Sequence, residues 1–253
     1  AFAKLPRAGE PVDVFYLPFN ENWPVNLFDH YRPSYWADEA FDQEYVTELK
    51  RAFAQCIRHI ESKEWSETIF QFYLNNKIYY RKKEPQSSAP WVFDEPENTQ
   101  DFWALRWYGQ LWQSAVSAVA KDSKVWFRGD ISYSEFGRNM LSDVLDAMYI
   151  GGNTEQKVRM LQEDIRMWGK SYYFEYGHAN TIEAPNIHSV LWSLKAWSRG
   201  ALGVMPWQTI GNAKAWKTAT RTSLFYPSAK GPRPSLRLKA FTQGQQLIEY
   251  LML

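Results

Sequence analysis

The sequence predicts an α/β fold of the (β/α)8 TIM-barrel type, built from parallel strands that alternate with helices. Short apolar runs alternate along the chain with longer stretches in which apolar residues recur at helical spacing. Alternation of this kind implies parallel βαβ units with right-handed crossovers. The 253 residues also match the length that such a barrel needs. We therefore expect a single catalytic barrel domain over residues 1–253, incomplete or irregular at its N-terminus.

Eight segments are predicted as strands because they are apolar, often β-branched or aromatic, and run into polar or small residues. In a parallel barrel, the loops that follow such strands line a cleft. The predicted strands are 13–19, 68–74, 91–93, 124–131, 144–150, 171–176, 201–207 and 223–226.

Five segments are predicted as helices that pack outside the sheet, because their apolar residues fall on one face. Thr99 is the predicted N-cap of the second, and Pro185 precedes the fourth. The predicted helices are 38–62, 99–121, 155–168, 186–199 and 235–253.

Charge and composition exclude several classes of partner. The net charge is +1, the isoelectric point is near 8.0, and charges of both signs are spread along the chain. Nucleic acid and anionic membranes are therefore not expected as partners. No leader or membrane span is visible, although a secreted or periplasmic location is compatible with a leader that has been removed. The lone Cys56 cannot form an intrachain disulfide and is expected to be a small buried hydrophobe.

Sequence motifs for phosphate, zinc and thiol chemistry are absent. The chain has no Gly-rich phosphate loop, no Walker-type lysine, no CxxC pair, no HExxH and no GxSxG nucleophile elbow. Nucleotide-binding, zinc-protease and dithiol-redox functions are therefore not expected. Carboxylate chemistry in an aromatic cleft remains.

The octet WVFDEPEN at 91–98 is the candidate catalytic segment. Its apolar run ends in the adjacent carboxylates Asp94 and Glu95, and Pro96 stops a strand from continuing. Cleavage of a glycosidic bond needs a proton donor and a group that stabilises positive charge, and two carboxyl groups can divide these tasks. Neighbours on a regular strand point to opposite faces, so both can act on one substrate only if the backbone turns between them. An acidic surface turn is the alternative interpretation.

Aromatic residues make up 17% of the chain, with 13 Trp and 15 Tyr. Flat aromatic rings often line clefts that bind sugars, although they also fill large cores. Tyr149, Tyr176 and Trp207 lie at or near the ends of three predicted strands, so they are expected to share one face of a barrel with Asp94 and Glu95. Structural packing is the alternative for each.

Three further residues are predicted to bind substrate. Trp23 lies in the polar and aromatic loop after the first strand, and His178 follows a strand end from which it could reach the cleft. Tyr226 ends the eighth predicted strand, which in a closed barrel is adjacent to the first and seventh. Its hydroxyl is therefore expected to point toward the sugar site.

Three blocks of sequence resemble the barrel of glycoside hydrolase family 123 and related proteins catalogued as a domain of unknown function. The blocks are WVFDEPEN, YYFEYGHANTIEAPNIHSVLWSLKAWSRGALGVMPWQ and LFYPSAKGPRPSLRLKAFTQGQQLIEYL, and the similarity runs from about Asp13 to the C-terminus. The resemblance implies a retaining exo-β-N-acetylhexosaminidase that prefers N-acetylgalactosaminides and uses substrate-assisted catalysis.

By the same resemblance, Asp94 orients and stabilises the 2-acetamido group of the substrate, and Glu95 acts as general acid and then as base. The resemblance implies no metal or cofactor. Members of the family commonly carry a β-sandwich domain before the barrel, so this chain is compatible with a fragment of a longer protein. A non-catalytic carbohydrate-binding barrel is the alternative function. A carbohydrate is the expected partner under either interpretation.

Overall fold

The computed structural model describes residues 9–76, 90–137, 139–151, 159 and 172–253. Contacts group these residues into two compact units. The first unit comprises the described residues up to Met148, and the second comprises those from Tyr149 onward. The predicted helix 155–168 falls outside the described residues, apart from position 159.

The first unit consists of parallel strands connected by helices. β1 pairs in parallel with β2, and β2 pairs in parallel with β3. The two long helices lie between consecutive strands in the sequence, as expected for βαβ units. The elements of this unit are β1 (Val14–Phe19), α1 (Leu27–His30), a 3-10 turn (Ala37–Glu39), α2 (Gln43–Ser62), β2 (Ile69–Leu74), α3 (Thr99–Val119), β3 (Lys124–Ile131) and α4 (Ser134–Gly137).

The core of the first unit lies between one face of the sheet and helices α2 and α3. Trp112 of α3 is fully buried, and its ring centroid lies 4.1 Å from that of Phe72 and 6.3 Å from that of Phe127. Phe53 of α2 meets the same indole edge-on at 5.2 Å. Complete burial of a large apolar side chain contributes about 1.5–3 kcal/mol. This aromatic layer therefore fixes the two helices on one face of the sheet.

Side chains at the starts of α2 and α3 accept hydrogen bonds from backbone N–H groups that have no partner within the helix. Asp42 accepts a hydrogen bond from the N–H of Tyr45 at 3.0 Å at the start of α2. Asn98 accepts from the N–H groups of Gln100 and Asp101 at the start of α3. The prediction of Thr99 as the N-cap is therefore wrong by one residue.

The second unit contains parallel strands, a short hairpin and two packed helices. β5 pairs in parallel with β6, with Phe174 opposite Gly203 and Tyr176 opposite Met205. The strand β4 (Ala147–Gly151) begins in the first unit and ends in the second. The remaining elements are β5 (Tyr172–Gly177), α5 (Ile187–Ser198), β6 (Gly203–Pro206), a 3-10 turn (Ala213–Trp216), β7 (Phe225–Tyr226), β8 (Arg233–Pro234) and α6 (Leu236–Met252).

Helices α5 and α6 approach each other closely at a glycine. A Cβ placed on Gly244 of α6 would lie 2.9 Å from the Cβ of Ser193 on α5, closer than real Cβ contacts. Ser235 caps the start of α6 by accepting the N–H of Leu238 at 3.2 Å. Gly244 is therefore needed for this packing rather than for backbone freedom.

Six of the eight predicted strands are present as β1 to β6, which confirms an α/β chain with alternating strands and helices. The segment 91–93 is not a strand. The N–H of Val92 donates to the side chain of Asp101, and the N–H groups of Phe93 and Asp94 both donate to the carbonyl of Asn76. These bonds replace a strand ladder, so the segment is a buried loop.

The segment 223–226 does not add an eighth parallel strand. Its last two residues form β7, which pairs antiparallel with β8 in a separate two-stranded sheet. The N–H groups of Leu224 and Phe225 both donate to the carbonyl of Thr209. A closed eight-stranded barrel is therefore not shown. Without barrel closure, the order of the strands no longer predicts that the Tyr226 hydroxyl points toward the sugar site.

Candidate functional site

One face of the sheet in the first unit carries polar and aromatic side chains. Successive side chains of a strand point to opposite faces, so Tyr16, Tyr73 and Arg128 lie on the face that helices α2 and α3 do not cover. Tyr73 is the register partner of Pro18 on one side and of Arg128 on the other. The rings of Tyr16 and Tyr73 lie 5.4 Å apart.

Arg128 is the cationic centre of this face. Its guanidinium donates to both carboxylate oxygens of Asp130, at 2.8 and 2.9 Å, and both side chains are nearly buried. The guanidinium carbon also lies 4.9 Å from the centroid of the Tyr73 ring and 5.1 Å from that of Tyr16. These contacts fix Arg128 between a carboxylate and two aromatic faces.

The loop 91–98 leads into α3 and brings two carboxylates to this face. The side chain of Asn76 donates to the carbonyl of Trp91 at 2.7 Å. The fully buried Asp101 accepts hydrogen bonds from the N–H of Val92 at 3.1 Å, from the N–H of Glu97 at 3.0 Å and from the side chain of Asn98 at 2.9 Å. Both ends of the loop are therefore tied to the start of α3.

The backbone turns at Glu95. This residue has φ of +63°, in the left-handed region that few residues other than glycine adopt. Its N–H donates to the carbonyl of Asp130 at 3.2 Å, and its Oε1 accepts a hydrogen bond from the hydroxyl of Ser132 at 2.6 Å. The end of β3 therefore orients Glu95. Asp94 and Glu95 are both half-buried.

The two phenols on this face stay protonated. Burial raises the pKa of Tyr16 to about 12, opposed by the Arg128 guanidinium and reinforced by Asp130 and Asp94. Burial also raises the pKa of Tyr73, and Asp130 and Asp94 raise it further. Both hydroxyls are therefore hydrogen-bond donors at neutral pH.

We call Asp94, Glu95, Asp130 and Arg128 the carboxylate cluster. The cluster contains three carboxyl groups and one guanidinium, so its formal charge is −3 + 1 = −2 when all are ionised. An excess of negative charge stabilises positive charge that develops on a bound substrate, and the neighbouring phenols can donate to its hydroxyl groups. Among the described residues, no three His, Cys, Asp or Glu side chains are arranged to hold a metal ion.

Three of the predicted cleft residues belong to the second unit. Tyr149 stacks on Phe174, with ring centroids 4.6 Å apart and planes 5° from parallel. Tyr176 lies two residues after Phe174 on β5 and so shares its face of the strand. Trp207 is 48% exposed, and its N–H donates to the carbonyl of Gly177 at 2.9 Å. Substrate binding by Tyr149, Tyr176 and Trp207 stays a prediction.

The remaining predicted binding residues lie in loops or in the hairpin. Trp23 is 54% exposed and meets the ring of Phe19 edge-on at 5.7 Å. His178 is exposed just after β5. The hydroxyl of Tyr226 donates to the carbonyl of Thr220 at 3.1 Å and accepts a hydrogen bond from Arg237 at 2.7 Å. The roles of Trp23, His178 and Tyr226 in substrate binding also stay predictions.

A second buried charge network lies in the second unit. Arg199 donates to both oxygens of Glu175 at 2.7 Å, and the indole N–H of Trp192 donates to Oε2 at 2.8 Å. The hydroxyl of Tyr173 also donates to Oε1. Glu175 is completely buried. Each oxygen of this carboxylate thus accepts two hydrogen bonds from donors within the protein.

Sequence reasoning did not select Tyr16, Tyr73, Arg128, Asp130 or Ser132 for the site. The alternation of Arg128 and Asp130 within an otherwise apolar strand was the available signal, because two charges on one face of a strand need a polar environment. These two charges indicate a site only when the strand register is known, because the register sets Tyr73 opposite Arg128.

Comparison with known proteins does not assign this chain to a family. No family model matches the chain, and no curated protein matches it. Among solved structures, the Prevotella bryantii endo-beta-mannanase/endo-beta-glucanase PbGH26A-GH5A resembles it with a TM-score of 0.46 and 11% sequence identity. The match covers 90% of this chain and 35% of that chain, so this chain spans about a third of that protein's length. Within the described ranges, every helix is too short or too polar to cross a membrane.

Proposed function

We propose that the protein is a glycoside hydrolase in which Asp94 and Glu95 act on the substrate. The observation that carries the proposal is the turn at Glu95, where φ is +63°. On a regular strand, the two carboxylates would point to opposite faces. With this turn, Asp94 lies close enough to Tyr16 and Tyr73 to raise the pKa of both phenols, while Glu95 bonds to Ser132 after β3. Both carboxyl groups are therefore available to one substrate bound at this end of the sheet.

The substrate is a terminal β-linked 2-acetamido sugar, with N-acetylgalactosaminides preferred. Most retaining glycosidases use carboxylates on opposite sides of the sugar, one as the acid and one as the nucleophile. Consecutive residues of one loop suit a different division, in which the nucleophile is the acetamide oxygen of the substrate itself. The resemblance of 91–98 to the Asp-Glu segment of family 123 supports this division.

In the first step, the acetamide oxygen bonds to the anomeric carbon as the bond from that carbon to the leaving oxygen breaks. The leaving oxygen takes its proton from the Glu95 carboxyl group, and Asp94 accepts a hydrogen bond from the acetamide N–H as positive charge develops. In the second step, the oxygen of a water molecule bonds to the anomeric carbon as the bond from that carbon to the acetamide oxygen breaks, and Glu95 takes the proton from the water. The acetamide is regenerated, and the product keeps the β configuration.

A panel of 4-nitrophenyl β-glycosides tests this proposal. We expect release of nitrophenol from the N-acetylgalactosaminide and the N-acetylglucosaminide, and none from the galactoside or glucoside, which have no acetamide nucleophile. Asp94→Asn should lower kcat by at least about a hundredfold because it removes the charge that stabilises the intermediate. Glu97→Gln is the matched control, because Glu97 is exposed in the same loop and should keep full activity.

Hydrolysis of the galactoside at a rate equal to that of the N-acetylgalactosaminide would contradict the substrate-assisted step. Binding of acetamido sugars without turnover would instead support the alternative of a non-catalytic carbohydrate-binding protein.

A further inference from the structure

Positive charge is concentrated in the second unit. From Ala184 to Ile248, the sequence contains nine Lys and Arg residues and neither Asp nor Glu, whereas the whole chain has a net charge of only +1. Charges of both signs occur along the chain as a whole, but only positive ones occur in this stretch. Such an excess favours an anionic ligand.

Within this stretch, a cavity of about 600 Å³ lies beside the β7–β8 hairpin. Its apolar lining includes Ile210, Trp216, Phe225 and Tyr226, and Trp216 is 64% exposed. A cavity of this size suits a small ligand or one unit of a larger one. An exposed indole at its wall offers a flat surface on which a sugar ring can stack.

Four basic residues are immediate chain neighbours of residues that line the cavity, and each of the four is exposed. Within the part of the chain that the structure describes, none of the four has a carboxylate partner, whereas the nearby Arg221 lies 3.4 Å from Glu183. The four are Lys214, Lys217, Lys230 and Arg233. We call the cavity and these four residues the basic cavity.

We propose that the basic cavity binds an anionic glycan, one whose sugar units carry carboxylate or sulfate groups. A sugar ring stacks on Trp216, and the anionic groups meet the bordering lysines and arginine. The choice of a glycan rests on the proposed function. It also agrees with the placement of the four charges next to residues that line a single cavity, since a nucleic acid backbone is followed by an extended basic track.

Binding of a fluorescein-labelled chondroitin sulfate hexasaccharide tests this inference. The polymer alternates a uronic acid with N-acetylgalactosamine and carries sulfate. Binding is measured by fluorescence anisotropy with the full chain carrying Glu95→Gln, so that hydrolysis does not consume the probe. We expect saturable binding at low ionic strength that weakens as salt is added, because the contacts are exposed ion pairs. A neutral chitin hexasaccharide should bind more weakly, with little response to salt.

Two variants and one control locate the site. Trp216→Ala should weaken binding roughly tenfold through lost stacking. The double variant Lys214→Gln/Lys217→Gln should weaken it about three- to tenfold. The matched control is Lys195→Gln/Lys239→Gln, which removes the same charge from exposed positions of the same basic stretch that do not adjoin the cavity. The control should bind as the parent does.

Equal weakening by the control pair would overturn the inference, as would a complete lack of saturable binding at low salt. Tighter binding of single-stranded DNA than of the sulfated hexasaccharide would overturn it in favour of nucleic acid. If no glycoside is hydrolysed but the hexasaccharide still binds through Trp216 and the two lysines, the proposed function fails and this inference stands.

Discussion

Arg199 and Arg128 each lie against a buried carboxylate, one in each unit of the protein. Around Glu175, the guanidinium of Arg199 is joined by donors from Trp192 and Tyr173, and one negative charge meets one positive charge. Arg128 pairs with Asp130, and the loop that bonds to the end of β3 adds two further carboxylates, Asp94 and Glu95, both half-buried. The first network has balanced charge around a fully buried carboxylate, whereas the second has an excess of negative charge that solvent can reach.

The difference teaches how to separate a structural charge network from a functional one. A buried ion pair with all its hydrogen bonds satisfied has nothing left to offer a ligand, and its removal affects mainly stability. A network with excess charge and partly exposed carboxylates can exchange protons and bind a substrate. We therefore expect substitutions at Glu175 to affect folding and substitutions in the carboxylate cluster to affect catalysis.

The largest expected effect on stability comes from Glu175→Gln. The change leaves the guanidinium of Arg199 without a counter-charge, which costs about 3–5 kcal/mol for a buried pair. We expect the lower end of that range because the Arg199 side chain is 24% exposed. Urea unfolding measures the loss. Glu183→Gln, which breaks an exposed pair with Arg221, is the control and should not shift the midpoint. An equal shift of the urea midpoint in both variants would contradict the structural role of Glu175.

A matched pair of tyrosine substitutions sharpens the comparison. Tyr173→Phe removes a donor to Glu175 and should lower the free energy of unfolding by about 1 kcal/mol, with kcat unchanged. Tyr73→Phe removes a hydroxyl beside Asp94 and should lower kcat about tenfold, with little change in stability. Unfolding curves and turnover of the N-acetylgalactosaminide are measured for both. The reverse pattern would mean that the two networks had been assigned the wrong roles.

The smallest expected effect concerns the half-buried pair of His30 and Asp42. A hydrogen bond with the Asp42 side chain raises the pKa of His30 above its ordinary 6.5. The pKa of Asp42 is lowered below 3.8, mainly by the hydrogen bond from the N–H of Tyr45 and next by the one with His30. The His30 contribution is complete below pH 6.5 and is lost as pH rises through the raised value. The Asp42 contribution is present above pH 3.8 and is lost as pH falls through the lowered value.

Both contributions are therefore present between about pH 4 and pH 6.5. His30→Gln should reduce the excess stability of the parent at pH 5 over pH 8, measured from urea midpoints. An undiminished excess in the variant would assign the pH dependence to other groups.

The sequence predicts the strands and helices well where burial on one face decides the structure. β2 and β3 alternate between the aromatic core and a second face, and their periodicity shows this directly. The segment 91–93 is equally apolar, but its N–H groups bond to Asp101 and Asn76. Contacts over nine or more positions along the chain leave no periodic signal. A buried loop therefore has the composition of a buried strand.

The site is predictable in part for the same reason. Asp94 and Glu95 are conspicuous because they end an apolar run, whereas Tyr73 and Arg128 become neighbours only through the pairing of β2 with β3. The contact of Glu175 with Arg199 joins residues 24 positions apart on different elements. Nothing in the local pattern distinguishes it from two unrelated charges.

The dependence of Glu95→Gln on the leaving group tests the role of the carboxylate cluster most directly. A positioned general acid contributes typically about 10²–10⁴-fold when the leaving oxygen needs a proton. We measure kcat/KM for the parent and the variant on two N-acetylgalactosaminides, one with an alkyl and one with a 2,4-dinitrophenyl leaving group. The account predicts a loss of at least about a hundredfold on the alkyl glycoside and a far smaller loss on the dinitrophenyl glycoside. Equal losses on both substrates would contradict the assignment of Glu95 as the general acid.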